Sequence, residues 1–286
     1  MLDQAESLRR LAKGEPLVAK NNTKIITITS GKGGVGKSNF VVNLAITLVK
    51  LGKKVLIFDA DIGMGNDDVL MGIYPKNNVL DIVNGNLNIE DVIVEGPGGV
   101  KLLPGGSGLN NIEELQQNQR DLFLKKIETI EGFDYIFIDT GAGISRSVLA
   151  FISCSDEFIL VTTPEPTSLT DGYSLLKAVD YFKIKNKANI VVNKVLDKEE
   201  GKQTFYKFKT AVNKFLKLDV SYLGLIYEDR KLIMAVREQT PFVLGYPNSD
   251  ASKCVRIIAD KLLGETKIED GLGAKGLFKK LFNIFS

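Results

Sequence analysis

Residues 31–38 read GKGGVGKS, a spacing of glycines, lysines and a hydroxyl that suits phosphate binding. The octapeptide fits the phosphate-loop pattern G-x-x-x-x-G-K-[ST], whose last two positions are Lys37 and Ser38. Its glycines let the backbone point N–H groups at phosphate oxygens, the lysine holds the β and γ phosphates, and the hydroxyl ligates Mg²⁺. The sequence therefore predicts a site for a nucleoside triphosphate with Mg²⁺, formed by Gly31, Lys32, Gly33, Gly34, Val35, Gly36, Lys37, Ser38 and Asn39.

The residues on either side of this loop give it the setting it needs. An apolar run at 24–29 precedes it, and residues 39–51 follow with helical periodicity. A strand, a loop and a helix are thus predicted in that order. This context favours the phosphate site over a glycine-rich turn that matches the pattern by chance.

Two carboxylates, Asp59 and Asp61, follow the next apolar run at 54–58. Side chains two residues apart at a strand end point to the same side of the sheet. At the carboxyl edge of a parallel sheet they lie beside the phosphate site. The alternative is an acidic cap on the following helix.

A third carboxylate, Asp139, ends the apolar run 133–138, which is typical of a strand buried on both faces. This position suits a carboxylate that binds Mg²⁺ through water. Gly141 and Gly143 then predict a mobile loop able to sense a γ-phosphate.

An asparagine, Asn193, stands near the end of the apolar run 189–194. Its amide offers a donor and an acceptor, which matches the N6/N7 edge of adenine and favours ATP over GTP. A turn-capping asparagine is the alternative.

The elements that must position these residues alternate between strand and helix signals along the chain. This order predicts one α/β domain at residues 20–264, a doubly wound, mostly parallel sheet flanked by helices. From residue 100 onwards, the patterns predict strands at 100–103 and 157–162 and helices at 112–130, 145–153 and 166–182.

Composition excludes several classes of function. The net charge is only +2, so bulk electrostatics gives no case for nucleic-acid binding. The absence of histidine removes histidine acid–base chemistry. Cys154 and Cys254 stand a hundred positions apart, which favours buried, reduced thiols in a cytoplasmic protein. No apolar stretch approaches the length that spans a bilayer.

The loop spelling at 32–38, KGGVGKS, resembles the K-G-G-x-G-K-[ST] variant of the MinD/ParA-type P-loop ATPases, and residues 59–66 resemble that family's D-x-D-x-G-x-x-N segment. The resemblance implies a homodimer formed with ATP, in which Lys32 reaches the partner's nucleotide. It also implies that Asp61 orients or activates the attacking water, that residues 63–68 form the first switch loop, and that the loop with Gly141 and Gly143 is the second. The alternative for Lys32 is a solvated surface lysine.

The resemblance assigns catalysis to Lys32, Lys37 and Asp61 and the metal to Ser38, Asp59 and Asp139. It departs from the family at one place, since most members have D-x-P-A-G where this chain has Gly141 in place of proline. We expect a looser loop with the same chemistry. No arginine finger in the same chain is evident, so hydrolysis is expected to be slow and stimulated by a partner.

The C-terminal stretch 265–286 begins as a polar, glycine-rich linker and ends as KGLFKKLFNIFS. Wound as a helix, this ending has an apolar face flanked by two lysines, which predicts reversible attachment to anionic lipid at the inner face of the cell membrane. The alternative is a tail that packs back on its own domain. The predicted membrane contacts are Leu277, Phe278, Leu281, Phe282 and Phe285.

The N-terminal stretch 1–19 contains DQAESLR at residues 3–9, which resembles the D-Q-A-x-x-L-R element of the FlhG (YlxH/FleN) flagellar number regulators. The resemblance implies that this stretch activates the FlhF-type signal-recognition GTPase and that the protein meets flagellar switch (C-ring) proteins. Gln4 would enter the GTPase site, anchored by Leu8 and Arg9. The alternative is a frayed helical extension.

Two other functions fit the same core. A division-site selector of the MinD type shares the core and the C-terminal tail, and a ParA-type DNA-partition ATPase shares the nucleotide site. A nitrogenase-reductase activity is disfavoured because no cysteine is placed for an interfacial iron–sulfur cluster.

Overall fold

A computed structural model describes residues 23–61, 65–85, 87–106, 117–127, 130–264 and 273–285. In this part of the chain eight strands form one sheet with the order β3-β4-β2-β5-β1-β6-β7-β8. All neighbours are parallel except β3, which pairs antiparallel with β4 at one edge. The strands are β1 Lys24–Ser30, β2 Val55–Ala60, β3 Val94–Glu95, β4 Lys101–Pro104, β5 Tyr135–Ala142, β6 Glu157–Thr162, β7 Lys187–Val195 and β8 Asp219–Tyr227.

Helices cover both faces of this sheet, as expected for a doubly wound α/β fold. In chain order they are α1 Lys37–Lys50, α2 Asp67–Met71, α3 Val79–Val83, α4 Ile89–Val92, α5 Gln117–Ile127, α6 Arg146–Cys154, α7 Pro166–Tyr181, α8 Lys198–Phe215, α9 Arg230–Arg237, α10 Phe242–Gly245, α11 Asp250–Gly264 and α12 Gly273–Phe285. The alternation predicted from the sequence is confirmed by this arrangement.

The central strands are almost wholly apolar because both of their faces are covered. In β1, residues from Ile25 to the end of the strand are buried, and all of β2 is buried. Each face has its own apolar core, and α1 and α11 pack together on one of them. A rigid sheet edge results, on which the loops after β1, β2 and β5 are held next to one another.

The C-terminal helix α12 packs on the opposite face, among α5, α6 and β1. Its apolar face belongs to the core there: Leu277 and Leu281 are fully buried, and Phe278 and Phe282 are at most 3% exposed. The ring of Phe278 meets Phe58 and Phe123 with centroids 5.3 and 5.0 Å apart. The predicted helix is confirmed, and in this state the tail packs back on its own domain rather than presenting its apolar face to solvent.

The structure follows the predicted element bounds closely, with two informative differences. The strand expected at 133–138 continues through Ala142, because Thr140 pairs with Ala60 and Ala142 with Ser30. The helix expected at 112–130 is described only from Gln117 to Ile127, and the residues before it lie outside the described part. Among the described residues, no helix is long and apolar enough to cross a membrane.

Candidate functional site

The phosphate loop leaves β1 at Ser30 and enters α1 at Lys37, as its sequence predicts. Gly34 and Gly36 have positive φ angles of 77° and 87°, a conformation that glycine adopts without strain. Gly31 has no room for a side chain, since a Cβ there would lie 2.2 Å from the backbone carbon of Asp171. Two of these glycines thus serve the turn itself, and the third serves a close approach to α7.

The loop borders a cavity of about 800 Å³ at the carboxyl edge of the sheet. The predicted phosphate-site residues from Gly33 to Asn39 line it, together with Asp61 and Gly141 of the two switch loops. The volume falls in the range typical of sites for small molecules and cofactors. The structure therefore brings the predicted loop and the predicted catalytic carboxylate to one space.

The loop lysine is paired inside the protein. Lys37 is 6% exposed, and its Nζ donates to Asp139 Oδ1 at 2.5 Å and to Ser38 Oγ at 3.3 Å. Burial disfavours its charge, but the Asp139 carboxylate outweighs this and raises the pKa of Lys37. The lysine stays protonated and is ready to exchange the carboxylate for phosphate oxygens.

The acidic residues of the site come from neighbouring strands. Asp59 and Asp139 are direct partners in the pairing of β2 with β5, and the backbone N–H of Asp61 donates to Asp59 Oδ1 at 3.1 Å. Burial and then the Asp139 carboxylate raise the pKa of Asp59 to about 7. The predicted metal ligands Ser38, Asp59 and Asp139 are thus gathered around one lysine.

A further carboxylate in this group belongs to the predicted first switch loop but was not predicted to take part in catalysis or metal binding. Asp67, the first residue of α2, is fully buried, and no N–H or hydroxyl group of a described residue donates to either of its oxygens. Burial and then the Asp139 carboxylate raise its pKa well above the usual range. The pattern did show an acid shortly after Asp59 and Asp61, but not that it would turn inward.

The first lysine of the loop lies at the surface. Lys32 donates to Glu165 Oε2 at 3.0 Å and to Thr167 Oγ1 at 2.9 Å, and the Lys32 hydrogen bond lowers the pKa of Glu165. Both side chains of the ion pair are well exposed. Lys32 is therefore held within its own protomer by residues near the end of β6, a contact that the sequence did not predict.

Asn193 braces the loop in this state. Its Nδ2 donates to the carbonyl of Val35 at 2.7 Å, and its Oδ1 accepts from the N–H of Lys194 at 2.9 Å. It also borders a small cavity of about 140 Å³ beside the loop, with Phe40, Tyr227 and Ile233 among the lining residues. The place suits a base that stacks next to the phosphate site, and the predicted role in reading adenine stays a prediction.

Several predicted site residues lie outside the described part of the chain. They are Gln4, Leu8 and Arg9 of the N-terminal stretch, and residues 63 and 64 of the predicted first switch loop. The backbone of Phe285 is described within α12, but its side chain is not.

Comparisons with known proteins identify the family of the chain. Residues 23–193 match the AAA domain family model, which covers more than half of the chain. The chain is 38% identical over 270 residues to the flagellum site-determining protein YlxH of Helicobacter pylori, covering 92% of this chain and 90% of that protein. It is 35% identical to the antiactivator FleN of Pseudomonas aeruginosa, covering 84% of this chain and 86% of FleN.

The chain belongs to the FlhG (YlxH/FleN) branch of the MinD/ParA-type P-loop ATPases. A solved structure agrees at the level of the fold: the septum site-determining protein MinD of Pyrococcus horikoshii, in complex with Mg-ADP, superposes with a TM-score of 0.67 at 26% identity. The match covers 86% of this FlhG-branch chain and all of the MinD chain. The predicted fold class is confirmed by it.

Proposed function

We propose that this protein is an ATP-driven switch that binds and slowly hydrolyses Mg-ATP, dimerises with ATP, attaches reversibly to the membrane and controls flagella by activating an FlhF-type GTPase. One observation carries the proposal: the phosphate loop, its buried Lys37 and Asp61 line one cavity, and Asp139, paired with Asp59 across the strands, holds that lysine. The other loop lysine, Lys32, lies at the surface. Membership in the FlhG branch supports the flagellar output.

The chemistry of the donor set fits ATP with Mg²⁺. The glycines of the loop leave space for phosphates, and Asp67 has unsatisfied oxygens beside the predicted metal ligands. Ser38, Asp59 and Asp139 would hold Mg²⁺, which when bound offsets the negative charge of the phosphates. Asp61 lines the cavity from the first switch loop, where its carboxylate orients the attacking water.

Dimerisation would complete the site. Lys32 must leave Glu165 to reach a second nucleotide, and an exposed, solvent-screened ion pair of this kind opposes that move only weakly. The mouth of the cavity also carries exposed apolar side chains, Val69 and Val236, which are 42% and 40% exposed. A second protomer laid over the cavity would cover Val69 and Val236. The Lys32 of each protomer would then reach the nucleotide of the other.

Membrane attachment would require α12 to leave its place. The four buried side chains of its apolar face are the same ones that would enter lipid, so docking on the domain and insertion into lipid exclude each other. One short helix binds a membrane weakly, whereas an ATP-bound dimer presents two. The attachment is therefore switchable, and it places the protein at the inner face of the cell membrane.

The N-terminal stretch connects this cycle to the flagellum. We assign Gln4 to the GTPase site of FlhF and Leu8 and Arg9 to its anchoring, with C-ring proteins as further partners. No nucleic acid is needed for this role. The printed names of the relatives, a flagellum site-determining protein and an antiactivator, support the assignment to flagellar control.

The test is GTP turnover by FlhF with and without the full chain, compared with the Gln4→Ala variant. We expect stimulation by the full chain that falls to the unstimulated rate in the variant, because the amide that enters the GTPase site is gone. A variant with Gln117→Ala, far along the chain on α5, is the matched control and should stimulate fully. Equal turnover with and without the full chain would contradict the proposal and favour division-site selection.

A further inference from the structure

Asp67 is a buried acidic residue whose side-chain oxygens lack hydrogen-bond donors among the described residues. It is fully buried, and no N–H or hydroxyl group of the described residues donates to either oxygen. The side chain that pairs with it is another carboxyl group, that of Asp139, which can hydrogen-bond to it only by sharing a proton. Buried polar groups in folded proteins are nearly always hydrogen-bonded, so each exception calls for an explanation such as a missing ion or water.

The side chain faces charged groups that do not compensate it. Asp139 and Asp59 are the carboxylates that act on it most strongly, and Lys37 is the cation among them. Lys37, however, already donates to Asp139 at 2.5 Å. One lysine therefore stands against three carboxyl groups. Among the described residues these groups do not form a three-ligand metal cluster by themselves, so the partner that fits them is a cation held mainly by phosphate and water.

The helix that carries Asp67 does not account for it. Asp67 opens the five-residue helix α2, but the Asn66 side chain at its N-cap makes no capping hydrogen bond and Asp67 itself has no hydrogen bond to backbone. The next residue, Asp68, is the one that accepts a backbone N–H, that of Val69 at 2.7 Å. The local structure therefore makes use of Asp68 and leaves Asp67 free for the site.

We propose that Asp67 is a positioning residue for the Mg²⁺ that enters with the nucleotide, accepting hydrogen bonds from water in its coordination shell. The proposal rests on the proposed Mg-ATP site. Mg²⁺ keeps several of its waters when it binds to protein and phosphate, and those waters need acceptors. An acceptor of this kind orients the shell without touching the metal.

The test is the Mg²⁺ dependence of binding of a fluorescent ATP analogue, mant-ATP, to the full chain. Asp67→Asn keeps the size of the side chain but removes its charge. We expect the Mg²⁺ concentration at half-maximal binding to rise about 10–100-fold, the usual effect of losing an outer-shell partner. Binding in excess EDTA should be unchanged. Asp68→Asn, which makes the same change one residue away, should bind Mg²⁺ as the wild type does.

A second measurement guards against a variant that merely folds badly. Thermal unfolding without nucleotide should show Asp67→Asn at least as stable as the wild type, because a carboxyl group that must stay protonated in this site is replaced by a neutral amide of the same size. The same melts with Mg-ATP should show a smaller stabilisation by the ligand in the variant than in the wild type.

The outcomes separate this inference from the proposed function. Equal Mg²⁺ midpoints for the wild type and Asp67→Asn would overturn the role of Asp67 while leaving the ATP site intact. Weaker binding by the same factor with Mg²⁺ and with EDTA would also overturn it, since the residue would then be structural. Failure of the wild type itself to bind mant-ATP with Mg²⁺ would overturn the proposed function and this role together.

Discussion

At the level of single residues, the site is a cluster of acidic side chains around one lysine, Lys37, which is paired with Asp139. Asp139 accepts a hydrogen bond from Lys37, whereas Asp59 accepts one from the backbone N–H of Asp61. Burial and the neighbouring carboxylates raise the pKa of Asp59, so its charged form is disfavoured in the folded protein. Stability should therefore respond to pH.

The unliganded protein should lose stability as pH rises from about 4 to about 7. The pKa of Asp59 is raised to about 7, whereas an unfolded aspartate titrates near 3.9. The folded state thus holds a proton that the unfolded state releases, and the free energy of unfolding falls across this window. Urea unfolding at pH 5 and pH 8 measures it, and each pKa unit corresponds to about 1.4 kcal/mol at most.

Asp59→Asn is the variant that isolates this effect. It should have a flatter pH profile than the wild type between pH 5 and pH 8, because the titrating group is gone. Asp91→Asn, on the surface helix α4, removes a carboxylate outside the cluster and should keep the wild-type slope. Identical slopes for Asp59→Asn and the wild type would contradict the assignment.

Sequence patterns could predict most of the residues of the site. The loop, Asp59 and Asp139 follow from a fixed spacing and from apolar runs that end at the same sheet edge. The partners made by tertiary folding could not be predicted. Glu165 follows a different strand from the loop that carries Lys32, and nothing in the spacing of Asp67 shows that its side chain turns inward.

At the scale of elements, α12 has two competing partners, its own domain and lipid. The periodicity of the C-terminal sequence predicts an amphipathic helix, but not what covers its apolar face. In the structure the apolar face of α12 packs into the core that contains Phe58, Phe123 and Phe151. The Phe278 ring contacts Phe58 and Phe123, and Phe58 in turn contacts Phe151. The apolar face of α12 suits a hydrophobic groove of the protein and a lipid surface equally well. Its sequence therefore cannot show which of the two covers it, whereas the structure shows the groove.

Deleting residues 275–286 should therefore have two effects. The domain should melt at a lower temperature, because a fully buried Leu or Phe contributes about 1.5–3 kcal/mol and several are lost. Sedimentation with vesicles containing anionic lipid should fall to background, because the inserting helix is gone. Differential scanning calorimetry and vesicle sedimentation with ATP measure the two effects.

Lys275→Ala is the matched control for the deletion, since this exposed residue lies in the same helix. It should melt like the wild type. Unchanged melting of the deletion would contradict the packing of α12 on the domain. Unchanged sedimentation would contradict its role at the membrane, whatever the melting temperature.

At the scale of the whole molecule, the sheet order brings the switch loops together and leaves the cavity open at one side. The loops after β2 and β5 flank the phosphate loop because β2, β5 and β1 are neighbours. The alternation of strands and helices predicted this general fold. It did not predict the antiparallel edge strand β3, a two-residue element too short to give a pattern.

The open side of the cavity is where a second protomer would complete the site. Membrane attachment by two helices and the insertion of each Lys32 into the partner's site both depend on this step. Asp61→Ala should bind ATP without hydrolysing it, so that a dimer formed with ATP accumulates. The same background allows Lys32 to be tested without turnover.

The most direct measurement is the molar mass of Asp61→Ala by light scattering, with and without Mg-ATP, alone and combined with Lys32→Ala. For Asp61→Ala we expect a monomer of 31.4 kDa without nucleotide and twice that mass with Mg-ATP. Once Lys32 is also replaced, we expect a monomer in both conditions, although mant-ATP still binds. Combining Asp61→Ala with Lys194→Ala, a lysine that contacts the same loop through the carbonyl of Gly34, gives the control that should still dimerise. An ATP-dependent dimer that forms equally well without Lys32 would contradict the role of Lys32 between protomers. A monomer at saturating Mg-ATP in Asp61→Ala would contradict ATP-dependent dimerisation itself.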